Sequence, residues 1–252
     1  MLEYSIVMSA YNESKNITSS LTQIVTFMRS FSSGFEVIVV DDGGTDSTAD
    51  LVEQYAKENS EIVLIKNVHK GKGPSIYTGV MAAEGRLIYM ADVDLATPIS
   101  EIKRLSTWIN EHNFDIVIAS REGIGAKRNK EPLYRHITGR VFNFFVQLIA
   151  LPGIKDSQCG FKLFRKEVAK KIFSKLHIYG EHAPEIAGAY LGAFDVEVLY
   201  IARKLGYKIK AIPVEWTFVR TDRLNLVIDS IKMLADITKV VINDRKGLYN
   251  GN

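Results

Sequence analysis

Short runs rich in Val and Ile, each passing into a segment of helical length, dominate the first half of this chain. Tyr4 to Ser9, Phe35 to Val40, Ile62 to Ile65, Leu87 to Ala91 and Asp115 to Ala119 read as strands. Between them Ser14 to Arg29, Thr45 to Glu58, Gly73 to Ala83 and Ser100 to Glu111 carry helical patterns. Near-continuous apolar strands separated by helices predict an α/β fold, its sheet mainly parallel and flanked by helices on both faces. Ser14 and Ser100 stand where helix caps are expected, and Pro98 falls in the turn before the second.

Beyond Ser120 the pattern changes. Arg121 to Pro132 is rich in Gly, Lys and Arg without an apolar period and predicts a mobile loop. A hydrophobic helix (Arg135 to Leu151), a compact segment (Asp156 to Phe164) and a helix (Lys166 to Phe173) follow. Tyr179 to Gly192, which contains Gly180, Pro184, Gly188 and Gly192, reads as a loop. A helix (Ala193 to Leu205), a strand (Lys208 to Val214) and a last helix (Leu224 to Ile242) complete the chain. No repeat divides the 252 residues, which we read as one domain of two halves, 1–120 and 121–252.

Bulk properties exclude more than they select. A net charge of +3 is too small to imply nucleic acid, and the single cysteine, Cys159, excludes an internal disulfide and suits a reducing compartment. The N-terminus lacks a signal-peptide pattern, and no run reaches the roughly 20 apolar residues of a membrane span. A cytoplasmic protein is expected, with room for peripheral membrane contact.

Chemistry concentrates at strand ends, where open α/β sheets bind ligands. The second strand ends in Asp41-Asp42-Gly43-Gly44, suited to a base and ribose or, alternatively, to a capping turn; Asp46 and Ser47 read as caps. Ser9-Ala10-Tyr11-Asn12-Glu13 ends the first strand in the same way. The fourth runs into Asp92-Val93-Asp94, two acids that a divalent cation bridging to a diphosphate would compensate. Arg121, Lys127, Arg128, Lys130, Arg135, Arg140, Arg220 and Arg223 offer cations for an anionic acceptor, with Lys127 and Lys130 read as solvated. Asp195 and Glu197 lie two apart on a helix, so at most one faces a common site; Asp195 is chosen, and Glu197 is expected to pair with a cation. His69, His112, His136, His177 and His182 lack metal-ligand spacing and receive no role.

In their order these residues resemble the family-2 glycosyltransferases with the Rossmann-like nucleotide-sugar (GT-A) fold. The matching landmarks are Ser-Ala-Tyr-Asn-Glu (9–13), Val-Asp-Asp-Gly-Gly-Thr-Asp (40–46), Gly71-Lys72-Gly73 and Asp92-Val93-Asp94. Ala119-Ser120-Arg121, Tyr134-Arg135, the run from Asp156 to Phe164 and Ala193 to Leu199 are similar to polyprenyl-phosphate hexosyl synthases, above all dolichyl-phosphate β-glucosyltransferases. Ser9 stands where many relatives have Pro, Gly44 where Ser is usual, and Tyr179 to Leu191 looks inserted.

The resemblance implies an inverting transfer of glucose from UDP-glucose to a polyprenyl or dolichyl phosphate, with Mg²⁺ or Mn²⁺ held by Asp92 and Asp94. Ser9, Tyr11, Glu13, Asp41 and Asp42 would hold the nucleoside, with Lys72 positioning it and Val93 beside the metal acids. Arg121, Arg128, Arg135, Arg220 and Arg223 would take the acceptor phosphate, and Asp195 the sugar. Leu95-Ala96-Thr97 resembles the glucosyl enzymes, where mannose synthases commonly have Gln-His. Mannose transfer from GDP-mannose, a soluble transferase with a non-lipid acceptor, and a non-catalytic nucleotide-sugar binder remain the alternatives. The apolar helix from Arg135 either joins the core or lies in a headgroup layer.

Overall fold

The computed structural model describes residues 2–188, 190, 192–219 and 226–250. Nine strands and eight helices occur among them: β1 (Tyr4–Ala10), α1 (Ile17–Phe31), β2 (Phe35–Asp41), α2 (Thr48–Glu58), β3 (Ile62–Lys66), α3 (Lys72–Ala82), β4 (Leu87–Met90), α4 (Ile102–Asn110), β5 (Ile116–Ser120), β6 (Lys127–Asn129), α5 (Leu133–Ile149), β7 (Lys162–Arg165), α6 (Lys166–Phe173), α7 (Phe194–Lys204), β8 (Ile209–Pro213), β9 (Glu215–Thr217) and α8 (Leu226–Arg245). Seven strands form one sheet in the order β3-β2-β1-β4-β7-β5-β8. Only β7 runs antiparallel within it. The second half of the chain supplies β7 and β8, so a single sheet runs through both halves.

Strand residues alternate between two apolar layers, as the two-residue period requires. Tyr4, Ile6 and Met8 of β1 pack with Leu21, Ile24 and Met28 of α1 and Ile102 and Leu105 of α4. Val7 between them faces the opposite layer, with Ile76 and Val80 of α3, Ile172 of α6 and Leu199 of α7. The second layer is so close at α3 that a Cβ on Gly79 would stand 2.4 Å from Val7 Cγ1, which explains the glycine.

Several sequence expectations shift. Ser14 caps nothing: α1 begins at Ile17, and the Ser14 amide donates to Asp46 across the loop at 3.1 Å. Ser100 lies within a 3-10 turn (Ile99–Glu101) that precedes α4. Lys127–Asn129, expected in a mobile loop, forms a parallel two-stranded ladder with Glu215–Thr217. That pairing needs chain 88 residues away, so no local pattern announces it. In α5 only Phe142, Asn143 and Val146 are buried, and Leu133, Ile137, Val141, Phe144 and Leu148 face outward.

Candidate active site

The ends of β1, β2, β4 and β5 converge with the start of α3 and the turn before β7 around one cavity of about 260 Å³. Ser9, Tyr11, Glu13, Asp42, Lys72, Asp92, Val93, Asp94, Arg121 and Arg135 all line it. Asn12 builds the β1 end: it takes the left-handed conformation that Asn tolerates (φ 54°), and its side-chain oxygen accepts from the Thr45 and Asp46 amides. Of the two expected caps, Ser47, at the N-cap position, makes no side-chain cap bond, whereas Asp46 accepts from both the amide and hydroxyl of Thr48. It thereby ties the β1 and β2 loops together.

The paired acids of β2 separate. Asp42, 1% exposed, accepts from the Lys70 and Gly71 amides at 3.0 and 2.9 Å and from Ser75 Oγ at 2.9 Å. Its carboxylate therefore shapes the loop before α3 while bordering the cavity. Asp41 lies outside the lining. One of its oxygens accepts from the Gly44 amide, and the other is buried without a hydrogen-bond partner among the described residues. Burial is the main force pushing its carboxyl upward.

Asp92 and Asp94 sit in a turn closed by Leu95, itself at φ 45°. Lys72 donates to Asp92 Oδ1 at 2.5 Å, so it serves the acid pair and not the nucleoside position expected for it. Burial disfavours ionisation of Asp92, but the charge and hydrogen bond of Lys72, with Lys162 and Arg121 behind them, outweigh it and hold the carboxyl below its usual range. Asp94 accepts from the Ala96 amide, yet burial first and the charge of Asp92 second push its carboxyl up to about 6. Lys72 thus compensates Asp92, while Asp94 has no cation bridge among the described residues. A divalent cation fits such a pair, since Mg²⁺ commonly takes one or two carboxylates together with phosphate oxygens. No group of three or more candidate metal ligands occurs among the described residues.

The cations divide by partner. Arg121 is gripped by Asp156, Nε to Oδ2 at 2.9 Å and Nη2 to Oδ1 at 2.8 Å, and lies over Trp216. Arg135 stacks on Phe218, 4.8 Å from the ring centre, with no carboxylate bridge among the described residues. Burial and then the charge of Arg121 lower its pKa. Arg128 departs from expectation: Glu122 and Glu131 neutralise it at 2.5 and 2.7 Å, and it lines an adjoining hollow instead. Arg220 and Arg223 lie outside the described residues.

Asp195 is a correction too. It is 4% exposed, bonded to the buried Lys162, and absent from the cavity lining. Glu197 takes no cation among the described residues. It accepts from the His177, Ile178 and Tyr179 amides and from the Tyr249 hydroxyl. Residues 179–188, read as part of an insertion, fold against the segment before α3, where the Ile186 amide donates to the His69 carbonyl.

His69, Gln158, Gly160, Tyr190 and Trp216 line the cavity without having been singled out. Gly160 lies within a noted motif, and its reason is steric: a Cβ there would stand 2.0 Å from Asp92 Oδ2. His69 offers no metal spacing, and its neighbours come from distant parts of the chain.

The family model for glycosyl transferase family 2 matches residues 5–173. A dolichyl-phosphate beta-glucosyltransferase of Dictyostelium discoideum is 35% identical over 261 residues, covering 97% of this chain and 76% of the relative. Its Drosophila melanogaster counterpart is 32% identical, with 98% and 77% covered. Among solved structures, the glucosyl-3-phosphoglycerate synthase of Mycobacterium tuberculosis, in complex with Mn²⁺, UDP-glucose and phosphoglyceric acid, superposes with a TM-score of 0.64 at 16% identity, covering 98% of this chain and 80% of that one. At that identity the likeness speaks for the fold.

Proposed function

The chain belongs to glycosyl transferase family 2, alongside the dolichyl-phosphate β-glucosyltransferases, and from that premise we propose that its cavity moves glucose from UDP-glucose to dolichyl phosphate. One observation carries the reading. An acid pair bridged by a single cation, Lys72, among the described residues (Asp92, Asp94) and two arginines (Arg121, Arg135) line the same cavity. The acids suit a donor diphosphate reached through Mg²⁺ or Mn²⁺, and the arginines suit an acceptor that is itself a phosphate.

Ser9, Tyr11, Glu13 and Asp42 form the nucleoside end of the cavity, and Lys72 stands beside the diphosphate position. A metal ion held by Asp92 and Asp94 would neutralise charge building on the departing diphosphate. A lipid phosphate is already ionised near neutral pH, so its oxygen attacks the anomeric carbon without a base to activate it. The new carbon–oxygen bond forms as the bond to the nucleoside diphosphate breaks, with inversion. Asp156 occupies two of the five N–H donors of Arg121, which leaves the others for the incoming phosphate. Holding both reactants in line converts a two-body encounter into a local one.

The outward face of α5 gives the acceptor a route. Leu133, Ile137, Val141, Phe144 and Leu148 are exposed on the helix that carries Arg135 into the cavity. No helix among the described residues is long and apolar enough to cross a membrane. Peripheral docking of this face, assisted by nearby Arg140, brings a lipid phosphate to Arg121 and Arg135. The reading is tested by giving the enzyme dolichyl phosphate, a divalent metal and equal UDP-glucose and GDP-mannose, with product mass as readout. Glucosyl product is expected; preferential mannose transfer overturns the donor assignment.

A further inference from the structure

His69 lies at the rim of the nucleoside end with both ring nitrogens engaged. Its Nδ1 faces Asp42 Oδ2 at 2.8 Å and the Asp42 carbonyl at 3.0 Å, and its Nε2 faces the Gly188 carbonyl at 3.0 Å. Carbonyl oxygens have no proton to give, and the Asp42 carboxylate already accepts from two amides and a hydroxyl. Both ring nitrogens must therefore donate, which makes the ring an imidazolium. Its face stacks on Tyr11, centroids 4.1 Å apart and planes 9° from parallel, a favourable placement for a cation over a phenol ring.

The backbone of His69 is as tightly used as its ring. A Cβ at Gly43, whose φ is +67°, would come within 2.8 Å of the His69 nitrogen, and the Ile186 amide donates to the His69 carbonyl at 3.1 Å. One residue thus joins the β2 loop, the Tyr11 ring and the segment 179–188. Other polar groups surround it: Lys70 is bonded to the Glu181 carbonyl, Glu13 and the Tyr190 ring line the same cavity, and Asp41 lies behind Asp42.

Resting on the reading of this cavity as a nucleotide-sugar site, we propose that His69, as an imidazolium, is a positioning residue that closes the nucleoside end by tying the 179–188 segment to Asp42. Its titration then governs nucleotide affinity. Burial lowers its pKa, but the Gly188 carbonyl and the charge and hydrogen bonds of Asp42 prevail and raise it above the ordinary 6.5. The tie is complete below that value and is lost as pH rises through the raised one.

The test is titration calorimetry of UDP with Mg²⁺ from about pH 7 to about pH 8.5, a window clear of the phosphate's own ionisation. Wild-type affinity should weaken roughly tenfold across it, the scale of one lost charge-assisted hydrogen bond. His69→Gln, neutral throughout, should bind weakly and without pH dependence; His69→Arg, charged throughout, should bind tightly and also without it. A wild-type curve matching that of His69→Gln overturns the proposal. NMR titration of the wild-type ring needs no variant to fold: an imidazolium lost at or below pH 6.5 refutes the inference while leaving the nucleotide site standing. Absence of UDP binding in every form overturns the nucleotide reading and this inference with it.

Discussion

Replacing Gly160 by Ala tests how closely the turn before β7 is fitted to the acid pair. The added methyl would stand 2.0 Å from Asp92 Oδ2, 2.5 Å from its Cγ and 2.6 Å from Oδ1, where ordinary contact begins at 3.4 Å. Either the turn or the carboxylate must retreat by about 1 Å or more. The turn is fixed on both sides: the Cys159 carbonyl accepts from the buried Lys162 at 2.6 Å, and the Phe161 carbonyl accepts from the Ala119 amide at 2.9 Å. The Asp92 side chain is short but can rotate, at the expense of its bond to Lys72. Rotation relieves most of the overpacking, so stability should fall by no more than about 1–3 kcal/mol. Activity should fall by about 10²-fold, the loss attached to a 1 Å misplacement of a reacting group. Gly139→Ala on α5 is the control, since nothing lies within 4 Å of its added Cβ, and it should keep full stability. Thermal melting and kcat/KM for sugar transfer separate the two effects. A Gly160→Ala enzyme within about threefold of wild-type kcat/KM would refute the assignment of a fixed Asp92 to the reaction.

Asp156→Asn should lower the melting temperature, because breaking a buried ion pair typically costs about 3–5 kcal/mol. It should also raise KM for the lipid phosphate more than for the donor; equal changes in both would argue against Arg121 as an acceptor residue. Exchanging Phe144 and Leu148 for Ser should leave melting unchanged, since both are exposed, and abolish flotation with vesicles containing dolichyl phosphate. Flotation at the wild-type level would remove α5 from membrane docking.

The parts of the fold legible in sequence are those set by local period. Val7 and Ile38 alternate with Ile6 and Val37 between two apolar layers, so the strand reads as a near-continuous apolar run even when taken alone. The same logic places Asp42 and Asp92 correctly, because a parallel strand that ends in acids must deliver them to the sheet's carboxyl edge. β6 is different. Three residues of Lys, Arg and Asn carry no strand period, and only their ladder with β9 makes them one.

Charge partners are set by contacts between residues far apart in sequence. Arg121 meets Asp156 35 residues on, and Lys162 meets Asp195 33 residues on. For Asp195 and Glu197 the two-residue spacing was a sound guide that they diverge, and they do: one goes to Lys162 and the other to three amides and Tyr249. Asp195, chosen to face the site, does not line the cavity because α7 is buried along most of its length. An acid on such a helix has no solvent-filled face to point into. The same reasoning separates the arginines. Arg128 is spent on two glutamates, and Arg121 is held rigid by Asp156 with donors to spare. Arg135 borders the cavity with only an aromatic ring beneath it and no carboxylate bridge among the described residues. An incoming phosphate thus meets one guanidinium already oriented by its acid partner, and a second for which the phosphate itself supplies the missing negative charge.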